Sequence, residues 1–224
     1  MSFFRVVYYA VVSVSFVVIG FLLVTKATGY RYNTHTESWQ KTGMVILSTT
    51  PHDTVVRIDG QTYAISHSLR VPNLLPGVYN ISVSKTGYQK WTDSITISPG
   101  YVVSLNTINL FLAPPRILPT GTKEDQVLAT ATADPNISLS DGELWYGSTL
   151  VSRFVTTPTN AILLPSRQQI LYTLNNQIRI IEIDGHNDQL LYERKSPEIT
   201  PLKLENDSTV LFKDGDQTVA LRFQ

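Results

Sequence analysis

The chain has 224 residues, with 18 Lys+Arg balancing 18 Asp+Glu and no cysteine. That length accommodates one or two domains. The even charge gives no global sign of the basic face a nucleic-acid binder wants, and the missing cysteine excludes disulfides and cysteine-based metal or redox centres.

Val6 to Val24 (VVYYAVVSVSFVVIGFLLV) carries no charge. As a helix it is ~28 Å long, the depth of a bilayer's hydrocarbon core. In lipid such a run must be helical, because no water satisfies its peptide groups. Phe3, Phe4, Tyr8 and Tyr9 at one end, and Tyr30 and Tyr32 past the other, suit the two membrane interfaces. Lys26 and Arg31 are placed to snorkel. A cleaved signal peptide is the competing reading. Against it, the run exceeds the ~7–15 apolar residues of a signal, and the one small-residue pattern, Thr25-Lys26-Ala27, holds a lysine. Residues 1–27 are read as a membrane anchor whose partner is the lipid bilayer. The flanking charges, Arg5 with the amino group against Lys26 with Arg31, balance and leave orientation open.

Residues 28–42 are polar with scattered aromatics, a spacer or a leading strand. From Gly43 the pattern becomes β. Strands are expected at Met44–Ser48, Thr54–Ile58, Val78–Lys85, Trp91–Ile97 and Tyr101–Leu112. In Val78–Lys85, Ile81 and Val83 alternate with Ser82 and Ser84, the period of a strand with one buried face. Pro51-His52-Asp53, Asp59-Gly60, Pro76-Gly77, Thr86-Gly87 and Pro99-Gly100 punctuate the strands with turn residues. Short strands separated in this way predict a small antiparallel sandwich.

Residues 43–112 resemble a PEGA domain. The matching signs are Ser48-Thr49-Thr50-Pro51, then Val56-Arg57-Ile58-Asp59-Gly60, Leu74-Leu75-Pro76-Gly77-Val78-Tyr79, Lys85-Thr86-Gly87-Tyr88 with Trp91, and Pro99-Gly100 before a last apolar strand. The family's Pro-Glu-Gly-Ala reads Pro51-His52-Asp53-Thr54 here and keeps only the proline; an aspartate still supports a turn there. The resemblance implies a small β-sandwich used for interaction or spacing in surface and envelope proteins, with no catalytic set. It also implies that the C-terminal bulk lies outside the cytoplasm. Within this stretch Tyr88 and Trp91 are the candidate contact residues. They are read either as an exposed aromatic platform for a glycan or protein partner, or as large rings closing one end of a small core.

Ala113-Pro114-Pro115-Arg116 opens a proline-rich linker, residues 113–119, and Thr120 to Asp134 reads as a loop or irregular edge. Residues 120–224 then return to β patterning. Hairpins are expected at Glu143–Gly147 with Leu150–Val155, at Gln169–Leu174 with Gln177–Asp184 across Asn175-Asn176, and at Thr209–Lys213 with Gln217–Phe223 across Asp214-Gly215-Asp216. Further strands are expected at Ala161–Leu164 and Gln189–Glu193. The serial meander, with Pro165 to Gln169 leading into one unit, resembles β-propeller blades of ~40 residues. The region is long enough for two to three such blades and too short for a closed propeller. Its open sheet edges invite self-association.

The four histidines, His35, His52, His67 and His186, share no spacing that a metal requires. No nucleophile elbow, phosphate-cradling loop or dinucleotide fingerprint is present. The sequence therefore predicts a mainly β, non-enzymatic, single-pass membrane protein of the envelope, without cofactor or metal. It would bind or scaffold an envelope protein or glycan. The alternative is an accessory or degenerate hydrolase that presents a substrate groove on its C-terminal strands.

Overall fold

A computed structural model describes residues 3–166, 168–196 and 200–224, with the side chains of Asn106 and Thr107 outside the description. Helix α1 (Phe3–Ala27) buries none of its residues. Its 25 residues rise ~37 Å, enough to cross a bilayer with tilt. The following segment is more ordered than a plain spacer. It forms a hairpin of β1 (Tyr30–Asn33) and β2 (Ser38–Lys41).

The sandwich follows as β3 (Gly43–Thr50), β4 (Thr54–Ile58), β5 (Gln61–Ile65), β6 (Ser68–Leu74), β7 (Gly77–Ser84), β8 (Trp91–Ile97) and β9 (Val102–Asn109). One sheet has the order β6-β3-β9 and the other β5-β4-β7-β8. Strict alternation builds the core. Val45 and Leu47 of β3 face Val56 and Ile58 of β4, Ile81 and Val83 of β7, and Ile95 and Ile97 of β8. The pairing is antiparallel except between β3 and β9, which run parallel in the three-stranded sheet. A purely antiparallel sandwich is therefore corrected at this one ladder. It brings the first and last strands of the unit side by side, a pairing no hairpin turn can announce. Gly43 begins β3 where the chain passes closely: a β-carbon there would collide with Ile97 and with the carbonyls of Ser98 and Tyr101.

The rest of the chain forms β10 (Arg116–Leu118), α2 (Thr122–Leu128), β11 (Ile137–Ser140), β12 (Glu143–Tyr146), β13 (Thr149–Arg153), β14 (Asn160–Leu163), β15 (Gln169–Leu174), β16 (Gln177–Glu182), β17 (Gln189–Glu193), β18 (Lys203–Asn206), β19 (Thr209–Asp214) and β20 (Gln217–Arg222). The sheets are β11-β12-β13, β14-β15-β16-β17 and β10-β20-β19-β18. The first two are up-and-down antiparallel meanders, the third is a β18-β19-β20 meander with β10 added beside β20, and they stack face to face. The middle sheet is buried on both sides. Ile170 and Tyr172 of β15 pack with Leu144 and Val151 of the first sheet. Leu171, between them, packs with Val210, Phe212 and Leu221 of the third. The far face of the third sheet, Leu211 and Ala220, is covered by Leu128 of α2.

Two expectations change here. Arg116–Leu118 is a strand paired with β20, so the proline-rich stretch ends by completing the last sheet. Thr120 to Asp134 contains α2, whose first N–H groups are helped by the Glu124 carboxylate accepting the Gly121 N–H at 2.7 Å. The expected entry to β15 runs through Arg167, which lies outside the described residues.

Candidate functional site

The sandwich and the middle sheet meet along a polar seam. The segment 89–92 approaches the β16–β17 turn, and each side supplies donors to the other. Gln89 Nε2 donates to the Leu190 carbonyl at 2.8 Å, and the Thr92 N–H donates to Asn187 Oδ1 at 3.2 Å. Deeper in, Asn109 Nδ2 donates to Gln169 Oε1 at 3.1 Å, both residues buried.

Trp91 sits at the centre of this seam. It is 4% exposed and part of the sandwich core, and its indole Nε1–H donates to Glu182 Oε1 at 2.7 Å. Of the two readings of Tyr88 and Trp91, an exposed platform or rings closing a small core, the position of Trp91 is that of the second. The indole is buried because a large ring fills a small core, and its N–H finds a carboxylate on the facing sheet. Tyr88 is half-buried, packs against the same core, and has the Lys85 ammonium 5.9 Å from its ring centre. Glu182 also accepts a bond from Asn187 Nδ2 at 3.2 Å. Burial pushes its carboxyl above the ordinary range, and the N–H bonds from Trp91 and Asn187 oppose that rise.

Beside the seam opens a groove of about 1030 Å³. One wall is the outer face of β4-β7-β8, carrying Arg57, Asn80, Ser82, Thr92 and Ser94. The other is the turn bearing His186 and Asp188. This turn is held firmly. Asp188 accepts bonds from Arg179 Nε at 3.0 Å and from the Tyr172 hydroxyl at 2.9 Å. Burial, with Asp188 adding to it, pushes the Tyr172 phenol far above its usual range. Gly185, at φ 85°, lies so close to β13 that a β-carbon would collide with the Val151 carbonyl. His186 Nδ1 lies 3.5 Å from Asp184 and 3.7 Å from Asp93, which reaches over from β8.

Chemically, the groove offers paired charges and a row of hydroxyl and amide groups, suited to hydrogen-bonding a polar partner. Among the described residues no group of three or more histidine or acidic side chains is arranged to hold a metal. His52, in the turn that replaces the family signature, and His67, unrelated in spacing, have ring centres 4.0 Å apart and planes tilted by 35°. Sequence alternation places Arg57, Ser82, Thr92 and Ser94 on the wet face of the sandwich. It gives no sign that the Asp184–Asp188 turn, more than ninety residues later for Thr92, faces them.

A comparison with curated proteins gives no match. Among solved structures, the chain is similar to a quinonprotein alcohol dehydrogenase-like protein from Bacteroides thetaiotaomicron at 13% identity and a TM-score of 0.20. The likeness covers 83% of this chain and 54% of that one, so the chain spans about half that protein's length. The sandwich itself has a family: residues 42–110, which build the wall of the groove that carries Arg57, Thr92 and Asp93, match the PEGA domain.

Proposed function

We propose that this is a non-enzymatic, single-pass membrane protein of the envelope, with its β body outside the cytoplasm. Its body binds or scaffolds a polar partner, an envelope protein or glycan, in the groove between the PEGA domain and the middle sheet. The observation that carries the reading is α1, a long apolar helix that buries none of its described residues in the body. Such a surface is costly in water and stable in lipid. The PEGA domain points to the same setting, since it suggests a surface or envelope protein.

The carboxylates around the groove support binding over catalysis. Glu182 is held by Trp91 and Asn187, Asp188 by Arg179 and Tyr172, and Asp59 by the Asn80 N–H at 2.9 Å. Each is engaged in hydrogen bonds to the polypeptide. Some sheet edges are covered within the chain, β20 by β10 and β17 by Gln89. Edges such as β18 are where a second chain would pair.

The test is crosslinking in intact membranes from a photoreactive residue at Thr92, with and without Arg57→Glu, after an alkaline wash. Retention in the membrane, one dominant crosslinked partner, and loss of that partner in Arg57→Glu are expected. Recovery of a soluble protein lacking its first thirty residues would overturn the anchor. A soluble substrate turned over, with loss on Asp93→Asn, would overturn the non-enzymatic reading.

A further inference from the structure

The β1–β2 hairpin is amphipathic, and its aromatic face is open. The register pairs Tyr32 with Trp39 and Tyr30 with Lys41, so period-two alternation puts these four on one face. Arg31, Asn33, Ser38 and Gln40 take the other. The polar face is satisfied within the body: Arg31 Nη1 donates to the Asn73 carbonyl of β6 at 3.0 Å, and Asn33 Nδ2 donates to Gln40 Oε1 at 2.9 Å. The aromatic face has Tyr30, Tyr32 and Trp39 each between 41% and 49% exposed. Three rings exposed side by side on so short a hairpin need a partner.

The same face abuts α1. The rings of Trp39 and Phe21 meet edge to face at 6.5 Å, and Tyr32 packs on Trp39 at 5.7 Å. Phe21 lies six residues before the helix ends, ~9 Å up its axis. The hairpin thus folds back alongside the last turns of α1, and does not hang free beyond them. Lys41 shares this face, and Lys26 stands in the last turn of α1. Indole and phenol rings with flanking cations, set at the end of an apolar span, match the headgroup layer of a bilayer.

We propose that the aromatic face of the β1–β2 hairpin lies in the lipid headgroup layer and holds the PEGA domain against the membrane at a fixed tilt. The occupant is the lipid surface, because the face is continuous with the helix that enters it. The inference rests on the membrane-anchor reading above. The hairpin transmits the restraint to the body through Arg31 on Asn73, and through the Thr42 N–H on the Gly29 carbonyl at 2.8 Å.

The test uses the full chain in phosphatidylcholine–phosphatidylglycerol vesicles carrying a spin label either near the headgroup end or near the methyl end of the acyl chain. The tryptophan emission of wild type minus that of Trp39→Phe isolates Trp39 and leaves Trp91 and Trp145 untouched. The shallow label should quench this difference at least about twofold more than the deep one, as for an interfacial indole. Flotation of the protein with the vesicles, without quenching by either label, overturns the proposal and leaves the anchor intact. The same result with a dimer lost in Trp39→Phe gives the face to a second copy. Failure to float overturns the anchor reading, and this inference with it.

Discussion

The Trp91–Glu182 bond joins the two halves of the body, and its worth follows from its surroundings. Trp91→Phe removes the only N–H of the ring and leaves Glu182 with the longer bond from Asn187. A hydrogen bond to a carboxylate contributes about 1.5–3 kcal/mol. The lost indole atoms leave a small void in the sandwich core, for about 1 kcal/mol more. The expected cost of Trp91→Phe is therefore about 2.5–4 kcal/mol. Glu182→Gln keeps a carbonyl oxygen for the indole and removes a charge from a poorly solvated site, so it should stay within about 1 kcal/mol of wild type. In the Glu182→Gln background the indole bond is neutral and worth about 0.5–1.5 kcal/mol, so the coupling between the two changes is about 1–1.5 kcal/mol. Pulse proteolysis of the detergent-solubilised full chain across a urea series measures all four corners. If Trp91→Phe costs as much beside Glu182→Gln as beside glutamate, the carboxylate charge adds nothing to the bond and the reasoning fails.

Acid and base should act on the two ends of the body with opposite sign. Burial raises the Glu182 carboxyl, so the native state holds its proton more tightly than the unfolded chain. Its stabilising effect is present below the ordinary glutamate range and is lost as pH rises through the raised value; Glu182→Gln should flatten the urea midpoint across that window. At Asp214 burial raises the carboxyl, but the N–H of Ser196, the Tyr192 hydroxyl and the N–H of Lys195 outweigh it and hold it below its usual range. That stability is present above the ordinary aspartate range and is lost as pH falls through the lowered value. Asp214→Asn should cost about 1 kcal/mol at neutral pH, allowing for solvent screening, and nothing in strong acid. Gly185→Ala meets both the left-handed backbone and the Val151 carbonyl, and should cost about 2–4 kcal/mol. An unchanged thermal midpoint for that variant would show that the turn is not seated as described.

Strands with clean alternation were legible from sequence: Thr54–Ile58 and Trp91–Ile97 form where the pattern places them. Several of the missed strands lack it. β6 contains Pro72 and the left-handed Asn73, and β18 (KLEN) has a single apolar residue. β10 has only three residues between prolines, and its partner lies about a hundred residues later. α2 is too short for helical periodicity to register over seven residues. The groove was hidden for a different reason. Its residues occupy ordinary wet positions of β4, β7 and β8, and only the packing of a distant turn makes them a wall. Trp91 shows the same limit: sequence offers a surface ring or a core ring, and the structure uses one end in the core and the N–H across the seam.

The seam also decides which experiment separates a spacer from a binder. Leu110 belongs to the sandwich core, and Phe111, the next residue, belongs to the core of the C-terminal sheets. The backbone there bonds to both bodies in turn: the Leu110 N–H to the Thr50 carbonyl, the Leu112 N–H to that of Phe223, and the Ala113 N–H to that of Gly87. Removing residues 114–224 would expose Phe111 to water and take Glu182 from Trp91. A lost phenotype would then report a damaged sandwich as readily as a missing binding surface. Arg57→Glu at the groove reverses one exposed charge and touches neither core, so binding lost in that variant at unchanged stability is attributable to the surface itself.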